Sequence, residues 1–128
     1  MVLNEYSWVF QMNSLVKYVE PVSPPLDLVH LSRQTLGDLE LEREILSLFV
    51  KQSVQLSQRM FNSSKINEQH DLAHTLIGSA RAVGAWRVAK AAEHVDSVLN
   101  RGGVELSVAL AELGEFIDEA NSMIMGLN

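Results

Sequence analysis

From Asp27 onward, apolar residues recur three and four positions apart, the interval that stacks side chains on one face of an α-helix. Asp27 follows Pro24 and Pro25 and reads as the N-cap of a short helix ending near Gly37. Asp38 caps a second helix, along which Leu41, Ile45, Leu48, Phe49, Leu56 and Met60 fall at helical spacing. Asn62, Ser63 and Ser64 form a turn. A third helix runs from about Lys65 to Val83, with Gly84 in the place of a C-cap glycine. A fourth, Trp86 to Leu99, gathers Val88, Ala91, Ala92, Val95, Val98 and Leu99 on one stripe, and Asn100-Arg101-Gly102-Gly103 breaks it. In the last helix Leu106, Leu110, Leu113, Ile117, Ala120, Ile124 and Leu127 alternate steps of four and three, a near-heptad seam.

Residues 1–20 are mildly apolar, with Tyr6, Trp8, Val9, Phe10, Leu15, Val16 and Val19, and Phe10 to Val16 can form a short helix. Pro21, Pro24 and Pro25 then mark an extended linker, because proline restricts both its own backbone and that of the residue before it. No proline follows Pro25, which favours helices throughout the rest of the chain. The expected division is an N-terminal segment and linker, residues 1–25, and a helical unit, residues 26–128. Long amphipathic helices joined by short loops run antiparallel to their neighbours. The expected fold is therefore all-α, an antiparallel up-down four-helix bundle with short additional N-terminal helices.

Composition narrows the function. The chain has 128 residues, a formal net charge of −6 and 47% hydrophobic residues, which fits one folded core and argues against disorder. An acidic domain is a poor partner for a phosphate backbone, so no nucleic acid is expected. No apolar run approaches the ~18 residues that span a bilayer, and the N-terminus lacks a basic signal-peptide region, so no membrane is expected and the setting is cytoplasmic. The absence of cysteine excludes disulfides, thiolate metal sites and a cysteine nucleophile.

The candidate chemistry lies on the third helix, which carries His70 and His74. At 100° per residue, Leu72, Leu76, Ala80 and Val83 cluster within about 80° of arc and define its buried stripe. His74 lies about 160° from the middle of that stripe and should present its imidazole to water, with Asn67, His70, Gly78 and Arg81 on its side. The run Ala73-His74-Thr75-Leu76-Ile77-Gly78-Ser79-Ala80-Arg81-Ala82-Val83-Gly84-Ala85 resembles the signature of histidine-containing phosphotransfer (HPt) domains. The family pattern is a histidine, a leucine two residues on, Lys-Gly-Ser/Ala, and a Gly-Ala a few residues later. His74, Leu76, Gly78, Ser79, Gly84 and Ala85 match it. The entry Asp27-Leu28-Val29 and the Phe49 helix also look like the family, so that the resemblance covers about residues 26–126.

The resemblance implies that His74 is the phosphorylated nucleophile, taking a phosphoryl group from one receiver aspartate and passing it to another. It implies receiver domains of response regulators or hybrid histidine kinases as partners. No cofactor or metal of the chain's own is implied, since the divalent metal belongs to the receiver. A monomer without kinase activity is expected. Gly78 would let a docking receiver approach, which accounts for a mid-helix glycine that costs about 1 kcal/mol relative to alanine. Arg81 would lie near the phosphoryl oxygens, where a guanidinium makes forked hydrogen bonds. Arg87 and Lys90 are read as solvated charge with a steering role. One position departs: Ile77 stands where the family has lysine. The wheel puts Ile77 about 60° from His74, at the edge of the partner surface, where a lysine would be tolerated.

Two rivals remain. A bundle that binds a receiver or another protein without phosphotransfer would explain Ile77. His70-Asp71-Leu72-Ala73-His74 also superficially resembles the zinc-protease motif H-E-x-x-H, because histidines at i and i+4 reach one metal. Against this, Asp71 replaces the catalytic glutamate, and no third ligand is evident in the sequence. His94 lies beyond a turn on another helix.

Overall fold

The computed structural model describes residues 24–127. The expectations for residues 1–23, including a Phe10–Val16 helix, lie outside the described residues. Five helices follow: α1 Leu28–Thr35, α2 Leu39–Asn62, α3 Ile66–Val83, α4 Trp86–Val98 and α5 Gly103–Gly126. The described residues contain no strand. Among the described residues no helix is long and apolar enough to cross a membrane.

The caps are those the sequence specifies. Asp27 accepts from the His30 N–H at the start of α1, and Asp38 accepts from the Glu40 and Leu41 N–H groups at the start of α2. Gly84 ends α3 in the left-handed region, φ 82°, which glycine enters without steric cost. A Cβ at Gly84 would stand 2.9 Å from the Asp27 carbonyl oxygen, so the position also lets the chain entering α1 pack against the α3–α4 turn. The Asp27 N–H donates to the Gly84 carbonyl across that contact.

The four longer helices form a ring of contacts: α2 packs on α3 and α5, and α4 packs on α3 and α5. The α1 helix lies against α2 and α3. The core draws on all five, with Leu31, Phe49, Met60, Leu76, Val88, Val95, Leu113 and Ile117 buried. The α4 stripe is buried as expected, and α5 buries Leu113, Ile117, Ala120 and Ile124 from the expected seam. The α2 stripe is corrected. Leu41 and Leu48 are exposed, and the buried line is Leu46, Phe49, Ser53, Leu56 and Met60. A serine in the middle of this line interrupts its apolar pattern in the sequence. Ser53 fits there because the Asn121 Nδ2 donates to its hydroxyl across α2 and α5, while that hydroxyl donates to the Val50 carbonyl. Gln69, also buried, donates from Nε2 to the Met60 and Ser63 carbonyls and so satisfies the C-terminal end of α2.

Asp27 also accepts from the Trp86 indole N–H on its second oxygen, 2.9 Å away. That bond, and then the His30 N–H, hold its carboxyl below the ordinary value of 3.8. A lowered folded-state pKa contributes stability that is complete above the ordinary value and is lost as pH falls through the lowered one. The melting temperature of wild type should therefore exceed that of Asp27→Asn by a constant margin above about pH 5, and the margin should shrink as pH drops below 3.8. Thermal melts of both proteins across that range check this.

Candidate functional site

The α3 helix is packed on by α1, α2 and α4, and its buried face is correspondingly broad. Leu72, Leu76, Ala80 and Val83 are buried as expected, and Gln69, Ala73 and Ile77 join them. On a helical wheel these seven positions span about 140°, against the ~80° of the apolar stripe alone. The opposite strip carries His74, whose side chain is 69% exposed. Asn67, Gly78 and Arg81 are exposed on the same helix, and His70 is half-buried.

The placement of Ile77 at the partner surface is corrected: it is 9% exposed and belongs to the core cluster. The reason is that α4 extends the buried arc past the stripe on the Ala73–Ile77 side. Arg87 is likewise not free charge. Its guanidinium pairs with Glu119 at 3.1 Å and lies over the Phe116 ring, 5.1 Å from the centroid, joining α4 to α5.

Beside His74 the structure brings in a residue that sequence reasoning missed. Asp96 of α4, 25% exposed, turns one carboxylate oxygen to each histidine of α3. Its Oδ1 is hydrogen-bonded to His70 Nδ1, and its Oδ2 lies 3.3 Å from His74 Nε2. One ligand atom from each of His70, His74 and Asp96 falls within 4.8 Å of the others, so these three could hold a metal ion. Arg81 is also engaged: its guanidinium donates to Glu93 of α4 rather than standing free beside His74. A signal for Asp96 existed. The Gly84-Ala85 turn is tight, so residues nearly equidistant from it face each other, and His74 with Asp96 is such a pair.

The glycines of the motif divide by role. Gly84 is required by the fold, as its φ and its contact with Asp27 show. Gly78 is not, since a Cβ there would meet nothing within 4 Å. An exposed mid-helix glycine with open space above it leaves the helix backbone beside His74 accessible to a partner.

A family model described as Hpt domain matches residues 33–123, which takes in α2, α3 and α4, most of α5 and the end of α1. No curated protein and no solved structure matches the chain.

The burial of Ile77 reverses the expected effect of a lysine there. Ile77→Lys loses apolar burial and forces its ammonium along the α3–α4 seam to reach water, so it should destabilise the chain by about 2 kcal/mol. Chemical denaturation of the two proteins checks the figure, and an unchanged midpoint would mean that Ile77 is not packed as described.

Proposed function

The chain belongs to the Hpt domain family, and on that premise we propose that His74 accepts a phosphoryl group from a receiver-domain aspartyl phosphate and passes it to another receiver aspartate. The observation that carries this is an imidazole held out of the core at the motif position, beside an unobstructed Gly78. The unit that does so comprises residues 26–128, with the four longer helices as an antiparallel up-down bundle. Their ring of contacts and short connections support that arrangement, as do the cross-helix pairs, in which higher residue numbers on α3 meet lower ones on α4.

Little machinery is needed on this side of the reaction. Imidazole in its neutral form is nucleophilic without an adjacent base. The donor is a mixed anhydride and already activated, so positioning does most of the work. A ring nitrogen attacks phosphorus as the bond from phosphorus to the aspartyl oxygen breaks. The aspartate leaves with the electron pair as carboxylate, and the proton on the other ring nitrogen balances part of the phosphoryl charge. The same steps in reverse hand the group to the next aspartate. The aspartates and their divalent metal belong to the receivers, which are domains of response regulators or hybrid kinases. The chain acts as a cytoplasmic, monomeric carrier with no cofactor of its own in this reaction.

Receiver binding without transfer is the alternative. Asp96 favours it, because a phosphoryl group arriving at His74 meets a carboxylate, while the family's lysine is a buried isoleucine and Arg81 is held by Glu93. Incubation with a phosphorylated receiver distinguishes the two. Wild type should gain label that is acid-labile and base-stable, and His74→Gln should gain none. The substitution is at an exposed site and should change stability by no more than about 0.5 kcal/mol. Equal labelling of the variant, or no labelling of wild type by any receiver that binds it, would refute transfer through His74.

A further inference from the structure

The cluster of His70, His74 and Asp96 has a chemistry that phosphotransfer does not use. Two imidazoles come from successive turns of α3, at i and i+4, where both point to one side of the helix. The carboxylate comes from the neighbouring helix, and each of its oxygens faces one ring. All three donor atoms lie within 4.8 Å of one another. A tetrahedral ion bound at about 2.0–2.1 Å needs ligand atoms about 3.3 Å apart, the separation already present between His74 Nε2 and Asp96 Oδ2. Two of the groups are half-buried and therefore restricted, while His74 is open to solvent, which leaves room for water in a fourth position.

We propose that His70, His74 and Asp96 form a binding site for one divalent transition-metal ion of the zinc type, and that this ion and a phosphoryl group on His74 exclude one another. Two imidazole nitrogens and one carboxylate suit zinc and its late first-row neighbours. They do not suit magnesium, which prefers oxygen ligands in an octahedron. The magnesium that a receiver needs therefore leaves this site alone. On binding, the ion takes the lone pair of His70 Nδ1, the ring's proton residing on Nε2, and the lone pair of His74 Nε2. A metal-bound imidazole has lost its nucleophile, and a phosphorylated one has no nitrogen to give the ion in that geometry. The metal site stands on its own geometry; the exclusion rests on the phosphotransfer function proposed above.

The test has two arms that fail separately. In the first, zinc chloride is titrated into the metal-free full chain by calorimetry, with no receiver present. Wild type should bind one zinc ion. His70→Gln and Asp96→Asn should each weaken binding roughly tenfold or more, whereas His94→Gln should bind like wild type. Circular dichroism establishes that each variant is folded, and His70→Gln serves if Asp96→Asn is not. Equal affinity of wild type and folded His70→Gln would overturn the site, whatever the phosphotransfer result. In the second arm, phosphoryl transfer from a receiver is timed in excess magnesium with and without zinc, and each protein is compared with itself. Zinc should slow wild type severalfold and slow His70→Gln far less. Equal slowing of both would place the zinc effect in the receiver and overturn the exclusion. Absence of transfer without zinc would refute the phosphotransfer function and leave the calorimetric result standing.

Discussion

Everything at the site depends on how much of α3 the other helices cover. Three neighbours pack on it, and the arc they bury is wide enough to take in Ala73 and Ile77 as well as the leucine stripe. What remains is a narrow strip, and His74 stands on it. A helix with fewer neighbours would expose both histidines alike. Here α4 half-covers His70 and fixes it to Asp96, so that the two imidazoles of one helix, one turn apart, have different surroundings. The histidine exposed to a partner is selected by packing before any question of reactivity arises.

The same packing sets the charge around His74. Glu93 and Asp96, three residues apart on α4, lie along the seam with α3, and each takes up cationic or imidazole groups that would otherwise face a partner. Arg81 is exposed and its pairing with Glu93 is a surface ion pair, worth little in stability, so an arriving phosphoryl group can compete for it. Asp96 is more enclosed and remains beside His74. A carboxylate there disfavours phosphoryl charge and favours a cation.

Much of this was legible in the sequence. Asp27, Asp38 and Gly84 announced their helix ends through side-chain and backbone chemistry that acts locally. The exposure of His74 followed from the wheel, because an axis of four leucine, alanine and valine positions was unambiguous. The failures share a cause. Ile77, Ser53 and Asp96 take their roles from residues on other helices. The width of a buried arc depends on how many neighbours a helix has, a buried serine depends on Asn121 across the core, and a third ligand depends on the α3–α4 turn. Periodicity within one helix carries none of that. The turn did carry part of it, since Gly84-Ala85 fixes which residues of α3 and α4 stand opposite.

The central claim is that packing leaves His74 exposed to a partner and half-covers His70. Phosphorylating wild-type protein from a receiver and locating the modified residue by tandem mass spectrometry under alkaline conditions tests it most directly. The account predicts phosphohistidine at His74 and none at His70. Phosphoryl groups found on His70, or shared between the two, would contradict it.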